Sequence, residues 1–235
     1  MSLADDLSTE IGSILGQAWD VRDGQVVPTT DGVILAGGAV KLDATFLYAD
    51  LADSTALAIL DRRLAARVFK AFLAACTKVI KARGGEVRSF DGDRVMGVFV
   101  GSRKNTSGAK AALNIHHVCE KILRPKLEAR YESCRNGAYK LEWCTGVDTS
   151  EVLCVRAGLR NSNDLVWVGR APNVAAKLSS IRSTPYRSWI SGAVFDVMNE
   201  EAKISTSGQN MWEQRINVPA VPDGIAYRSS WTWSP

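Results

Sequence analysis

The spacing of apolar residues predicts strands and helices along most of the chain. Leu3 to Trp19 has apolar residues at helical intervals, so we expect a short amphipathic helix there. Val21 to Val40 is rich in Gly, Thr and Val with two Asp-Gly pairs, which indicates short strands and turns. Ala44 to Ala49 is a continuous apolar run, which predicts a strand covered on both faces.

A long helix is predicted after this strand. Asp53, Ser54 and Thr55 are residue types that cap helix N-termini, and Gly84-Gly85 is typical of a left-handed helix end. Between these points the apolar residues recur every three or four positions. The predicted inner face consists of Leu57, Leu60, Leu64, Val68, Phe72, Cys76, Val79 and Ile80.

The rest of the chain is predicted to alternate hairpins with helices. Asp91-Gly92-Asp93 joins two β-like runs, Glu86 to Phe90 and Arg94 to Val100, as in a tight hairpin. The remaining predicted elements are a helix from Thr106 to Leu123, a hairpin of Lys140 to Val147 and Val152 to Ala157, a strand from Asp164 to Val168, a helix from Pro172 to Ile181, and a β-rich end marked by Trp212, Tyr227, Trp231 and Trp233. This order predicts an α+β sandwich of the ferredoxin-like or polymerase-palm kind.

Composition narrows the class of protein. The chain has 235 residues, 46% of them hydrophobic, with a net charge of +4. Its Lys and Arg residues are dispersed, so a nucleic-acid partner is not indicated, while a mild positive charge suits a small anionic substrate. The five cysteines form no CxxC pair, and neither a signal peptide nor a membrane span is apparent. We therefore expect a cytoplasmic protein with buried thiols.

Asp50 and Asp93 are candidate metal ligands. Asp50 ends the first predicted core strand and Asp93 lies in the next hairpin turn, so the two carboxylates converge if those strands are neighbours. Two carboxylates at one edge can hold two divalent ions. Asp also occurs in turns and before helices for backbone reasons alone, and that explanation stays open. The free N–H groups of the helix start at Leu51 to Thr55 suit phosphate groups.

Asn173 and Lys177 lie four residues apart on a predicted helix and therefore share a face. A neutral hydrogen-bonding side chain and a cation at this spacing can orient a ribose and neutralise a reacting phosphate. A solvated surface pair is the alternative explanation.

Three segments together resemble the class III adenylate and guanylate cyclases. Residues 48–55 (YADLADST) are similar to their F-A-D-I-x-G-F-T segment, and residues 84–96 to their G-G-E-V-x-K-x-x-G-D-x-x-M hairpin. Residues 168–178 (VGRAPNVAAKL) are similar to their W-G-x-x-V-N-x-A-x-R-M helix. Residues 143–147 resemble the strand before a His-Ser/Thr-Gly turn, a turn that is Asp148-Thr149-Ser150 in this chain. Order and spacing match as well.

The resemblance assigns roles to these residues. It implies that Asp50 and Asp93 bind two divalent ions, Mn²⁺ or Mg²⁺, and that the Leu51 carbonyl completes a metal site. Asn173 orients the ribose, and Lys177 replaces the Arg that stabilises the transition state. In this family the acidic pair and the Asn/Arg helix belong to opposite protomers, so the resemblance implies a homodimer with two composite sites. The reaction is attack of the ribose 3′-oxygen on the α-phosphorus of a nucleoside triphosphate.

Two departures concern the base. Where adenylate cyclases have Lys and Asp, and guanylate cyclases Glu and Cys, this chain has Ser89 and Val166. Neither pairs with the polar edge of a purine, so the site should discriminate against purines. Trp167 is bulky and narrows the pocket. Arg94 either reaches the base or a phosphate or faces solvent, and Phe46 either packs in the core or lines the base site.

This pattern resembles the stand-alone bacterial pyrimidine cyclases of Pycsar anti-phage systems. Those proteins are short class III cyclases with an N-terminal extension, and they make cyclic UMP or cyclic CMP as a signal for a separate effector protein. The resemblance divides the chain into an N-terminal helix and β extension, residues 1–43, and a class III cyclase domain, residues 44–235. We expect UTP rather than CTP as the substrate.

Three alternatives stay open at this point. The first is a purine cyclase with unusual base contacts. The second is a catalytically silent domain that binds nucleotide, which Lys177 and the lost His-Ser/Thr-Gly turn favour and the intact Asp50 and Asp93 disfavour. A palm-type nucleotidyltransferase is the third, although it has no need of the Asn173/Lys177 helix.

Overall fold

The computed structural model describes residues 2–159 and 161–235 of the chain. Its helices are α1 (Leu3–Leu15), α2 (Ser54–Leu60), α3 (Arg62–Ala82), α4 (Lys104–Val118), α5 (Arg124–Arg130), α6 (Glu132–Arg135), α7 (Arg170–Ser179), α8 (Gly192–Val197) and α9 (Glu200–Lys203), with a 3₁₀ turn at Thr30–Gly32 and a π-helical turn at Cys119–Leu123. Its strands are β1 (Asp20–Asp23), β2 (Gly38–Leu51), β3 (Glu86–Asp91), β4 (Arg94–Phe99), β5 (Trp143–Leu159), β6 (Ser162–Gly169), β7 (Ser188–Ser191), β8 (Glu213–Arg215) and β9 (Ala226–Ser229).

The strands of the described residues form one nine-stranded sheet. Strands β3, β4, β2, β5, β7, β9 and β8 lie side by side in that order, while β1 pairs with β2 and β6 pairs with β5. The central part follows the chain order β2, α3, β3, β4, α4, β5, with β2 between β4 and β5. This is the βαββαβ arrangement of ferredoxin-like folds, so the predicted α+β class is confirmed.

Side chains of β2 alternate between two cores on opposite faces of the sheet. Leu47 and Ala49 pack with residues of α3 and α4, whereas Ala44 and Phe46 pack with residues of α7. Because both faces are covered, the strand sequence is apolar without polar alternation. Asp50 lies an even number of residues from Phe46, which places it on the α7 face. All five cysteines are buried and unpaired, as expected.

The helix predicted after β2 is divided in two. Asp61 accepts hydrogen bonds from the backbone N–H groups of the second and third residues of α3, at 2.8 and 3.0 Å, and so caps a new helix. The predicted inner face is buried from Leu64 onward, but Leu60 is exposed at the end of α2. Asp53 precedes α2 with a left-handed φ of 55° and forms no side-chain cap. Gly84, with φ 78°, follows α3 as predicted.

The hairpin predicted within residues 140–157 is wrong, because β5 is one continuous strand. Asp148 was expected in a turn, but it is fully buried and accepts hydrogen bonds from Ser191 Oγ and Arg170 Nη2. Both bonds go to Oδ1 of the carboxylate, and this part of β5 pairs continuously with β2. The hairpin is formed by β5 and β6 instead.

The N-terminal extension is joined to the sheet through β1, which pairs in parallel with β2. Strand β2 begins at Gly38, earlier than the predicted Ala44, so the proposed division between residues 43 and 44 falls inside a strand. Helix α1 is confirmed as amphipathic, and its apolar stripe is exposed in the single chain; the stripe consists of Leu3, Leu7, Ile11, Ile14 and Leu15. Among the described residues, no helix combines the length and apolarity needed to cross a bilayer.

The predicted β-rich C-terminal end is confirmed in part. Tyr227 lies in β9, and Trp212 directly precedes β8. Trp231 and Trp233 follow β9 outside any strand and pack against the core that contains α3 and α4. Their apolar surface explains why the sequence pattern resembles a strand there.

His116 gives the free energy of unfolding a predictable pH dependence. It is buried next to Trp143, with ring centroids 5.6 Å apart, and burial lowers its pKa from 6.5 to about 4. The unfolded chain binds this proton near pH 6.5, whereas the folded chain binds it only near pH 4, so stability falls as pH falls between these values. At 1.36 kcal/mol per unit, the full loss is at most about 3 kcal/mol.

Urea unfolding at pH 7 and pH 4.5 tests this expectation. The wild-type chain should lose more stability between these pH values than His116→Gln, because glutamine at this position does not titrate. Equal losses in both chains would show that His116 does not contribute.

Candidate active site

Asp50 lies at the end of β2 and is held by two arginines. Asp50 is 8% exposed to solvent. Arg94 donates from Nε to Oδ1 at 3.3 Å and from Nη2 to Oδ2 at 3.4 Å, and Arg182 donates from Nη2 to Oδ2 at 2.9 Å. Two guanidinium groups therefore compensate a nearly buried negative charge, which would be costly without them.

Arg182 connects this end of β2 to α7. The same Nη2 atom donates to the carbonyl of Leu51 at 3.2 Å, and Nη1 donates to the carbonyl of Ser179, the last residue of α7, at 2.8 Å. Arg182 was not predicted from the sequence. No motif surrounds it, and its contact with Asp50 spans 132 positions of the chain.

Asp93 lies in the turn between β3 and β4, as predicted. Burial raises the pKa of its carboxyl, a hydrogen bond from Ser54 acts in the opposite direction, and the charge of Asp50 raises the pKa further. Its Oδ2 atom is buried and has no hydrogen-bond partner among the described residues. A cation next to this oxygen would satisfy it and favour the ionised carboxylate.

Asp50, Asp93 and the Leu51 carbonyl fit a divalent cation. They are hard oxygen ligands of the kind that Mg²⁺ and Mn²⁺ prefer, and the unpartnered Oδ2 of Asp93 is an atom that such an ion would satisfy. Within the described ranges, no group of three His, Cys, Asp or Glu side chains suits a metal. One or two carboxylates completed by substrate phosphates and water are the usual Mg²⁺ arrangement. The residues therefore suit an ion that binds together with a phosphorylated substrate.

The segment Leu51–Thr55 gives weak support to the predicted phosphate site. Helix α2 begins at Ser54 but has only seven residues. The Ser54 side chain lowers the pKa of Asp93. Phosphate binding at this helix start stays a prediction.

Asn173 and Lys177 lie one turn apart on the exposed face of α7, as the sequence predicts. Helix α7 is held close to β5 because Gly146 lies beneath it. A Cβ at Gly146 would lie 2.2 Å from the carbonyl oxygen of Ala175 and 2.4 Å from the nitrogen of Ser179, so only glycine allows this approach. The position of both exposed side chains follows from this close contact.

Within one chain, Asn173 lies farther than Lys177 from the end of α7 that is next to Asp50. Arg94, which binds Asp50, also donates to Ser180 Oγ at 3.3 Å, just beyond the C-terminal end of α7. Asn173 lies seven residues earlier, roughly 10 Å along the helix axis, and is exposed. Its face of α7 is therefore accessible to a second chain.

The start of α7 is fixed by a buried contact that was not predicted from the sequence. Arg170 donates to the carboxylate of Asp148 at 3.2 Å and to the carbonyl of Thr149 at 2.8 Å. Burial raises the pKa of Asp148, and its hydrogen bond from Ser191 acts in the opposite direction. The contact orients the helix that presents Asn173. It also shows that the residues expected in a turn have a structural role.

Ser89 lies on β3 and Val166 lies on β6. Burial raises the pKa of Cys154 to about 11, while Arg88, next to Ser89, lowers it and Asp164, two residues before Val166, raises it. Val166 is 45% exposed.

Phe46 packs in the core instead of lining a base site in the single chain. It is fully buried, and its ring meets Trp167 edge-on with centroids 5.4 Å apart. Of the two alternatives for Phe46, packing is therefore the one observed. Its ring supports Trp167, which lies next to Val166 on β6.

The chain is similar over its full length to known uridylate cyclases. It is 41% identical over 237 residues to a uridylate cyclase of Rhodovulum sp. (strain MB263), covering 100% of this chain and 99% of that protein. It is 40% identical over 235 residues to a uridylate cyclase of Xanthomonas perforans, covering 99% of both proteins. No protein-family model matches the chain.

Solved cyclase structures share the fold. The adenylyl cyclase CyaB from P. aeruginosa matches with a TM-score of 0.68 at 19% identity, covering 81% of this chain and 95% of that chain. The guanylyl cyclase Cya2 matches with a TM-score of 0.59 at 17% identity, covering 83% and 95%. At this identity the likeness concerns the fold alone. Combined with the full-length relatives, it shows that the chain is a nucleotide cyclase with the class III fold and belongs to the uridylate cyclase family.

Proposed function

We propose that the protein converts UTP into 3′,5′-cyclic UMP and pyrophosphate as a homodimer with two shared active sites. The observation that carries the choice of UTP is the 41% identity over the full chain to a uridylate cyclase. Ser89 and Val166 add support, because neither side chain offers a charged partner to the polar edge of a purine.

The acidic half-site holds the metal ions in this proposal. Asp50, Asp93 and the carbonyl of Leu51 bind two divalent ions, Mn²⁺ or Mg²⁺, together with the triphosphate. Ions of this kind activate the ribose 3′-hydroxyl and stabilise charge on the leaving pyrophosphate. The raised pKa of Asp93 and its unpartnered oxygen support this assignment. Both indicate that neighbouring groups do not fully compensate the negative charge of this carboxylate, so that a cation would stabilise it.

The α7 half-site acts on the nucleotide bound to the other chain. Asn173 orients the ribose by hydrogen bonding, and Lys177 neutralises charge on the reacting phosphate as a point charge. The exposure of both residues, and the distance of Asn173 along α7 from the contact between Arg94 and Ser180, support a site completed by a second chain.

Cyclic UMP is the signal of an anti-phage defence system in this proposal, and a separate effector protein reads it. The similarity of residues 48–55, 84–96 and 168–178 to class III motifs, together with the base positions typical of Pycsar cyclases, supports this role.

The reaction is tested with the purified chain, UTP and Mn²⁺, with products identified by chromatography and mass spectrometry. We expect cyclic UMP and an equal amount of pyrophosphate, and no product when the ion is chelated. Product formed without a divalent ion would contradict the metal assignment. Absence of cyclic UMP in the presence of Mn²⁺ would contradict the proposed function.

A further inference from the structure

One nitrogen of Arg182 occupies the position where a cation would bridge Asp50 and Leu51. Nη2 lies 2.9 Å from Asp50 Oδ2 and 3.2 Å from the Leu51 carbonyl oxygen. These two oxygens are also those that the proposed function assigns to a divalent ion. A metal ion and this guanidinium nitrogen cannot both lie between them, because Mg²⁺ binds oxygen at about 2.0–2.1 Å.

We propose that Arg182 is the resident counter-cation of the metal site, which competes with divalent ions for Asp50 and the Leu51 carbonyl and so weakens metal binding to the chain without nucleotide. The inference rests on the proposed function, since that function supplies the metal site. The inference makes Arg182 a residue that couples metal binding to nucleotide binding. Metal then enters readily only with the triphosphate, whose negative charge favours a second cation.

The geometry allows Arg182 to release Asp50 and the Leu51 carbonyl while keeping its contact with Ser179. Its Nη1 atom stays bonded to the carbonyl of Ser179 at the end of α7, where a cation is favoured by the helix dipole. Its side chain is 36% exposed, compared with 11% for the Asp50 side chain. The guanidinium can therefore move toward solvent more easily than the carboxylate can.

Arg94 is a weaker competitor for the same site. Its bonds to Asp50 are longer, at 3.3 and 3.4 Å, and it forms no hydrogen bond to the Leu51 carbonyl. Arg182 contacts both candidate ligands, so removing its charge should have the larger effect on metal affinity.

The test is Mn²⁺ binding to the chain without nucleotide, measured by the electron paramagnetic resonance signal of free Mn²⁺. Arg182→Gln should bind Mn²⁺ at least about fivefold more tightly than wild type. This is the effect on affinity of one unit charge about 4 Å away when it is screened as strongly as in bulk water. Arg182→Lys keeps the charge as a point charge and should gain less Mn²⁺ affinity than Arg182→Gln. Thermal unfolding by circular dichroism checks that each variant is folded.

Two controls locate the effect. Arg103→Gln removes the same charge from an exposed arginine paired with Glu201, and its Mn²⁺ affinity should equal that of wild type. Adding Asp50→Asn to Arg182→Gln should abolish the gained Mn²⁺ affinity, because the oxygen for which Arg182 and Mn²⁺ compete belongs to Asp50.

Equal Mn²⁺ affinity of wild type and Arg182→Gln overturns the inference. So does a gain in Arg182→Lys as large as that in Arg182→Gln, since the charge would then not be the cause. Either result leaves the proposed function standing if UTP still gives cyclic UMP. Failure of the wild-type chain to form cyclic UMP overturns the proposed function, whatever the Mn²⁺ affinities are.

Discussion

Replacing Asp93 with Asn lowers the rate of cyclic UMP formation by more than about a hundredfold, because the charge stabilisation that a catalytic metal ion provides is worth several kcal/mol. The folded chain should tolerate the change. Burial already disfavours the charge of this carboxyl, and one of its oxygens has no partner. Product chromatography measures the rate, and urea unfolding measures the stability.

Asp50→Asn should reduce both catalysis and stability. It should lose turnover as fully as Asp93→Asn, but it should also lower the free energy of unfolding, because Arg94 and Arg182 lose their charged partner. Asp91→Asn is the matched control, since Asp91 is the exposed last residue of β3, two positions from Asp93, and it should stay active. Turnover retained in Asp50→Asn or Asp93→Asn would contradict the metal assignment.

Mixing two inactive chains restores activity if each active site is shared. Asp93→Asn removes one half-site and Asn173→Ala removes the other, so a mixed dimer has one site with both changes and one site with neither. Random pairing at equal amounts gives about half mixed dimers, and therefore about a quarter of the wild-type activity. Co-expression of the two chains with different tags, followed by purification through both tags, isolates the mixed dimer for assay.

A chain that carries both changes controls for this result. Paired with either single variant it cannot form an intact site, so no activity should return. If the doubly purified Asp93→Asn and Asn173→Ala dimer is also inactive, the shared-site proposal is contradicted.

Local signals were sufficient for the elements that carry the predicted site. The Asp91-Gly92-Asp93 turn and the apolar run before Asp50 each depend on neighbouring residues only, and the structure places a turn and a buried strand there. The spacing of Asn173 and Lys177 fixed a shared helix face in the same way. Such features follow from backbone geometry and periodicity, which a short stretch of sequence contains.

Features that depend on distant contacts could not be predicted. Asp148 looks like a turn residue until its bonds to Arg170 and Ser191 are known. Arg182 has no sequence signal, since its partner Asp50 lies 132 positions away. The positions of Asp148 and Arg182 depend on residues that come close to them only in the folded chain.

Asp61 shows a different limit, in which two local signals compete. The apolar periodicity continues from Leu57 through Leu64 and predicts one helix, while Asp61 is also a strong N-cap residue. The cap prevails in the structure, since its carboxylate satisfies two backbone N–H groups at the start of α3. Periodicity alone therefore gave the right inner face for α3 and the wrong helix boundary.

A competition assay tests the central claim most directly. The purified chain is incubated with Mn²⁺ and an equimolar mixture of UTP, CTP, ATP and GTP, and the cyclic products are separated and identified by mass. Each product then reports the relative kcat/KM for its nucleotide. We predict cyclic UMP as the dominant product, whereas cyclic AMP or cyclic GMP in equal or greater amount would contradict the account of Ser89 and Val166 and of the substrate.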